Sequence, residues 1–313
     1  MKVIPTLFLV SALTGIGFVC FSFKQTKPVI QPHRYDHIII VMEENHGFDE
    51  VIGSTNAPYI TQLAQDGALF TNSHGVTHPS QPNYLALYAG GVQGVIGDES
   101  LEKVTPYTTP NLGASLIKHG FTFTGYAQTM PSVGFMASYY KRGELTKASL
   151  YARKHAPWVN WIGDKENNIP ASVSLPMEQF PKDFSKLPTV AFVIPDMDYD
   201  MHNIGDPGDA EAIKRGDQWL KDNLGAYVEW AKKHNSLLIL TFDEDDFKQV
   251  NHVPTIFIGA GIIPGKYNGY INHYNVLHTI EAMYKLPVED TTKATAITDV
   301  WKTDRTKDKK AKL

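Results

Sequence analysis

The chain has 313 residues, 29 basic and 33 acidic side chains, with 42% hydrophobic and 20% charged residues. That balance belongs to a globular protein long enough for a substantial core, and it excludes disorder, collagen and coiled coil. No internal repeat or low-complexity linker divides the sequence, so a single domain is expected over residues 28–313.

The first stretch differs from the rest. Lys2 is followed by a nearly unbroken apolar run from Val3 to Phe23, closed by Lys24 and Lys27. This is the layout of a secretory leader, so the protein is expected to be exported: periplasmic, extracellular, or anchored and facing outward. The run is long for a cleaved peptide and lacks a small-x-small cleavage site. Residues 1–27 are therefore read as a signal peptide or an N-terminal membrane anchor, and a membrane is met only through this segment if it stays uncleaved. The single cysteine, Cys20, lies inside it, and with Phe18 and Val19 before it reads as an apolar leader residue rather than a lipidation site. A chain without the leader has no thiol, which removes disulfides, zinc-thiolate sites and cysteine nucleophiles. It also loses three positive charges from a formal balance of −4, so nucleic acid is not an expected partner. The lysine-rich stretch from Lys302 to Lys312 reads as a solvated tail.

In chain order, short runs that are apolar throughout occur at His37 to Met42, Thr189 to Ile194 and Ser236 to Phe242. Such runs suit strands covered on both faces. Phe121 to Tyr126 and Val253 to Ile258 add two more, the latter with Pro254 near its start, where a missing donor is tolerated. Amphipathic helices are expected at Pro58 to Gln65, Asn111 to His119, Asp209 to His234 and Asn275 to Lys285. The third carries Leu220, Leu224, Tyr227, Val228 and Ala231 on one face. Strands alternating with helices predict an α/β fold with a mostly parallel central sheet and helices on both faces.

The residues just past the strongest strands carry the chemistry. The first strand runs into Glu43-Glu44-Asn45-His46, the second into Asp196-Met-Asp198-Tyr-Asp200-Met-His202, the third into Asp243-Glu244-Asp245-Asp246. The carboxyl ends of parallel strands share one edge of the sheet, where ligands sit, so these distant acids should converge. Crowded carboxylates repel and raise one another's pKa values, which makes a cation their natural partner. One such cluster alone reads as a solvated loop or helix cap; three on one sheet edge point to a metal site. His202 and His273 add imidazole, a ligand mix of catalytic zinc, manganese or iron rather than of calcium. His33, His119, His155, His234 and His278 read as capping or core residues, and His46, His74, His78 and His252 stay open.

The segment Thr77-His-Pro-Ser80-Gln-Pro-Asn83-Tyr84 offers an oxygen nucleophile. Ser80 precedes an expected helix start at Pro82, whose free first-turn amides and positive dipole favour a phosphate or oxyanion. A nearby cation lowers the hydroxyl pKa, so no histidine base is needed. Asn83 could donate to a phosphoryl oxygen. Serine in that position also serves simply as an N-cap, and spacing alone leaves both roles open.

At these residues the chain resembles the phosphoesterase family that includes secreted acid phosphatases and bacterial phospholipases C, within the alkaline-phosphatase-like superfamily. The resemblance is carried by Glu44-Asn45-His46-Gly47-Phe48-Asp49, by Thr77 to Tyr84, by Asp200-Met-His202 followed by Trp219-Leu220, and by Thr241-Phe-Asp-Glu244 with Asn272-His-Tyr274. It implies an alkaline-phosphatase-like fold, Ser80 as a nucleophile that becomes phosphorylated and Asn83 as a stabiliser of the phosphoryl oxygens. It implies Glu44, Asn45, Asp243, Glu244, His202 and His273 as metal ligands or their immediate partners. Superfamily relatives favour Asp198 as a further ligand, the Asp-x-His block favours Asp200, and both are retained with Asp200 preferred. Asp245 and Asp246 are read as supporting or solvated. The expected cofactor is one or two divalent ions, with zinc, manganese, magnesium and calcium all compatible.

The implied reaction is metal-dependent hydrolysis of phosphate monoesters, with a small-molecule phosphate ester as partner. A phosphodiesterase or phospholipase C acting on lipid head groups would share the metal site. It would differ in the leaving-group pocket, expected within residues 92–188, where Trp158 and Trp161 occur without a motif. A formylglycine sulfatase is disfavoured because the only cysteine is in the leader. An inactive membrane-tethered binding module would be expected to lack a ligand or the nucleophile, and none is missing.

Overall fold

In the computed structural model, residues 32–202, 208–248, 250–288 and 292–302 are described. The leader, residues 1–27, and most of the lysine-rich tail lie outside them. Strand β1 (His37–Glu43) is followed by the short helix α1 (Phe48–Val51), helix α2 (Pro58–Asp66), strands β2 (Ala68–Phe70) and β3 (Ser73–His74), then helices α3 (Ser80–Ala89) and α4 (Leu112–Lys118). Strands β4 (Phe123–Ala127), β5 (Tyr139–Arg142), β6 (Ser149–Ala152), β7 (Ser174–Pro176) and β8 (Val190–Ile194) lead to the long helix α5 (Asp209–Ala231). Strands β9 (Ser236–Phe242), β10 (Thr255–Gly259), β11 (Gly265–Tyr267) and β12 (Ile271–Asn272) precede helix α6 (His273–Tyr284).

Eight strands form one sheet in the order β11-β2-β10-β9-β1-β8-β4-β7. The five strands from β9 to β7 run parallel, and β10 lies antiparallel to both β9 and β2. The expected apolar runs form the middle of this sheet because both of its faces are covered. Along β1, Ile38, Ile40 and Met42 pack into a layer with α3, α4 and α6, whereas Ile39 and Val41 pack into the opposite layer with α2 and α5. The alternation arises from the period of two in a strand. Strand β10 begins at Thr255, directly after Pro254, whose missing amide proton keeps it outside the ladder.

The stretch between β4 and β8 carries no long helix. It is held by Trp158 and Trp161, both fully buried, with Trp158 Nε1 donating to Ser174 Oγ at 2.9 Å and Trp161 Nε1 to the Thr109 carbonyl at 2.9 Å. The Trp158 indole lies against Gly125 of β4, where a Cβ would overlap its ring. These aromatics are core. No helix among the described residues is long and apolar enough to cross a membrane.

Candidate active site

The parallel register joins the strand ends as expected. The Glu44 amide donates to the Asp200 carbonyl at 2.8 Å, and the Asp243 amide to the Glu43 carbonyl at 3.0 Å, tying the ends of β8, β1 and β9 together. Asn45 takes a left-handed φ of 52°, a conformation asparagine tolerates better than most residues. That turn aims its backbone amide at Asp243 Oδ1, 3.0 Å away, and its side-chain nitrogen at Glu244 Oε1, 3.2 Å away.

Ser80 completes the cluster from the layer above. Its hydroxyl lies 3.0 Å from Glu44 Oε2 and 3.1 Å from Glu244 Oε1. A hydroxyl has one proton, so it donates to one carboxylate at a time. Helix α3 begins at Ser80 itself, two residues before the expected start, with Pro79 in the N-cap position and no side-chain cap bond. The N-cap alternative is thereby set aside. The expected free amides are also partly occupied, since Gln81 N–H donates to Asp98 Oδ1 at 3.0 Å.

Glu44 is the hub. Tyr84 donates to its Oε1 at 2.6 Å, His155 Nε2 lies 3.1 Å from that oxygen, and His202 Nε2 lies 3.9 Å from Oε2. Burial opposes ionisation, but the charges of His155, Lys154 and His202 and the Tyr84 bond outweigh it and hold the carboxyl at about 2. Its neighbours show the opposite balance. Burial, then the charges of Glu44 and Glu244, push Asp243 well above the carboxylate range, and burial with Glu44 pushes Glu244 up to about 8. The site thus holds more carboxylates than it can ionise unaided. Glu43, on the opposite face of β1, is buried with neither oxygen hydrogen-bonded and is likewise pushed up, chiefly by burial and then by Asp200.

Several expected residues occupy other positions. The oxygen and both protons of the Asn83 side-chain amide face its own loop: Oδ1 accepts from the Val76 and Thr77 amides at 2.8 and 3.1 Å, and Nδ2 donates to the Thr77 and Pro79 carbonyls at 2.8 and 3.2 Å. Correcting the expectation, this amide has no donor left for a phosphoryl oxygen and instead braces the Ser80 loop. Asp198 is likewise engaged elsewhere, accepting from the amide and hydroxyl of Thr146 at 2.9 and 2.7 Å. Asp200, fully buried, faces the cluster, with Oδ2 3.4 Å from His155 Nδ1. His202 stands beside Glu44 and is mostly buried. His273 is also buried, but its Nε2 bonds the Asp243 carbonyl at 2.7 Å, and burial lowers its pKa to about 4. It props the end of β9 through that nitrogen.

Where the sequence suggests a core histidine at position 155, the structure sets His155 between Glu44 and Asp200. Lys154, beside it, pairs with Asp98 Oδ2 at 2.6 Å. No local motif marks them. They reach the site because Arg153, buried, anchors their turn by donating to Asn160 Oδ1, the Met136 carbonyl and Thr105 Oγ1 at 3.1, 2.6 and 2.7 Å. Of the histidines left open, His78 joins the cluster at 2.5 Å from Glu244 Oε2, whereas His46, His74 and His252 bond backbone carbonyls nearby.

Among the described residues, no three His, Asp or Glu side chains form a ready-made metal cage. The donor chemistry nevertheless suits a divalent cation. Asn45 Oδ1, Asp200 Oδ2 and Asp243 Oδ2 are buried oxygens with no hydrogen-bond partner, on the same joined strand ends as Glu44 and Glu244, which flank the Ser80 hydroxyl.

The fold is α/β with a mostly parallel central sheet, and the family and relatives that the sequence matches make the chain a phosphoric ester hydrolase. The sequence matches the Phosphoesterase family over residues 54–287. It is 44% identical to a phosphatidylinositol-3-phosphatase of Mycobacterium tuberculosis, over 85% of this chain and 83% of that one. It is 30% identical to a probable acid phosphatase of Kluyveromyces lactis, over 81% of this chain but 59% of the longer fungal protein. An acid phosphatase of Aspergillus fumigatus is 27% identical over 88% of this chain and 61% of its own length. Among solved structures, an alkaline phosphatase superfamily protein from Vibrio parahaemolyticus superposes with a TM-score of 0.54 at 15% identity, covering 83% of this chain and 71% of that one. The chain belongs to the Phosphoesterase family.

Proposed function

We propose that the protein hydrolyses phosphate monoesters in two steps through a phosphoserine formed on Ser80, with a divalent cation held by Glu44, Asn45, Asp243 and Glu244. The observation that carries this reading is the Ser80 hydroxyl set between Glu44 and Glu244, inside a group of carboxylates too crowded to ionise together. The cation, when bound, supplies the positive charge that lets these carboxylates ionise and lowers the pKa of the adjacent hydroxyl. Ser80 attacks phosphorus, the P–O bond to the alcohol breaks as the P–O bond to serine forms, and water then cleaves the phosphoserine to release phosphate. Tyr84, His155 and Asp200 hold Glu44 in place, and Asn83 fixes the loop from which the hydroxyl projects.

Zinc, manganese, magnesium and calcium all fit this oxygen-rich donor set, with one ion or two. The acid phosphatase names among the relatives favour monoesters, and the mycobacterial relative's name brings a lipid-borne inositol phosphate into the substrate class. A phosphodiesterase sharing the same cation site is the alternative. The leader layout at residues 1–27 supports export. The test is metal analysis of the purified protein with and without chelator, alongside hydrolysis of p-nitrophenyl phosphate, bis-p-nitrophenyl phosphate and phosphatidylinositol 3-phosphate. Monoester turnover that is lost on chelation and restored by a divalent ion is expected; full activity in a metal-free protein would refute the cation role.

A further inference from the structure

We propose that Lys154 is the residue that makes the site prefer a phosphate monoester over a diester, by placing its ammonium against the second negative charge that only the monoester carries. This rests on the reading of Ser80 as nucleophile and adds a residue to it.

The placement is rigid. Arg153 is locked by hydrogen bonds to three separate segments, so the two residues after it are delivered to the first turn of α3 with little freedom. Lys154 Nζ lies 2.6 Å from Asp98 Oδ2, and the other oxygen of Asp98 accepts the amide of Gln81, the residue after the nucleophile, at 3.0 Å. One short chain of contacts thus connects the ammonium to the backbone at Ser80. The Lys154 side chain keeps 14% of its surface exposed and that of Asp98 keeps 33%, so the pair lies where solvent reaches it. Asp98 engages one of the three ammonium protons and leaves the others available to a phosphoryl oxygen.

The surroundings explain why the charge matters. Burial of the Lys154 ammonium is offset by the carboxylates of Glu44, Asp98 and Asp243, which keep it protonated. His155 faces Glu44 and Asp200 with its two ring nitrogens, so it is already engaged with carboxylates. A monoester near neutral pH brings close to two negative charges into a site rich in carboxylates, whereas a diester brings one. A fixed cation at the nucleophile's own turn therefore favours the dianion, and its removal penalises the dianion more.

The experiment compares p-nitrophenyl phosphate with bis-p-nitrophenyl phosphate, which share a leaving group, in the full chain supplied with divalent cation. In Lys154→Met, kcat/KM for the monoester is expected to fall about 100-fold and for the diester less than about 10-fold, so the preference shrinks by about an order of magnitude. Inhibition by inorganic phosphate should weaken in parallel, and Lys154→Arg should retain most of the preference. A lysine that merely braced Asp98 would lower both substrates equally, and an unchanged monoester-to-diester ratio in a folded Lys154→Met enzyme would overturn the proposal. Should Lys154→Met fail to fold, Lys154→Gln provides the same comparison. A wild-type protein with no activity on either ester would instead refute the underlying hydrolase reading.

Discussion

Ser80 Oγ stands 3.0 Å from Glu44 Oε2, although the two residues reach the site from different layers, one opening helix α3 and the other just past the end of β1. The contact places a hydroxyl against a carboxylate whose neighbours hold its pKa at about 2. Ser80→Ala should therefore lower turnover by at least about 10³-fold while the fold and cation binding persist. Phosphatase assays combined with metal titration check this, and wild-type turnover in a folded variant would contradict it.

His155 lies between two buried carboxylates, 3.1 Å from Glu44 Oε1 and 3.4 Å from Asp200 Oδ2, so its loss removes from both the imidazole that separates them. Removing the partner of a buried polar group costs about 1–3 kcal/mol when nothing replaces it. His155→Ala should therefore be markedly less stable than wild type in chelator, and much of that deficit should disappear when a divalent ion is added. Thermal melts with and without the ion measure both effects.

Asn83→Ala tests the brace. It strips four hydrogen bonds from the loop ahead of Ser80, and each buried group left unpaired costs about 1–3 kcal/mol. We expect reduced stability together with reduced turnover. Asn83→Asp sets a carboxylate oxygen against the Thr77 and Pro79 carbonyls and buries a charge there, so it should be at least as destabilised as Asn83→Ala. A stable, fully active Asn83→Ala would show that the loop holds itself.

Gly125→Ala is a probe of the core remote from chemistry. The added methyl meets the Trp158 indole, itself fixed by Ser174, and overpacking of this kind costs about 1–3 kcal/mol or more. Denaturant unfolding should show the loss, with the substrate preference of any folded fraction unchanged.

The sheet was legible because its central strands are apolar on nearly every residue, a pattern that burial on both faces explains. Ser236 to Phe242 matches β9 residue for residue, and the helix expected from Asp209 is present but ends at Ala231. Boundaries shifted too: α6 starts at His273 because Asn272 caps it by accepting the Tyr274 amide at 3.0 Å, and α3, with no side-chain cap, starts at Ser80 rather than Pro82. The convergence of the acidic clusters was legible too, since strand direction alone brings them to one edge. The division of labour within them was not. Asp198 and Asp200 differ by two positions, and only the tertiary contact of Thr146 with Asp198 separates them. His155 and Lys154 lie in a stretch with no long helix or motif, positioned by the hydrogen bonds of Arg153, and nothing in their local sequence reports that anchoring.

The order in which the cluster's members appear along the chain has a consequence for biosynthesis. Ser80 leaves the ribosome early, whereas Asp243 and Glu244 come after β9, which must add beside β1 before they reach the hydroxyl. A nascent chain stopped short of that strand therefore carries Ser80 and Glu44 without Asp243 and Glu244, and the proposed site is complete only when translation is nearly finished.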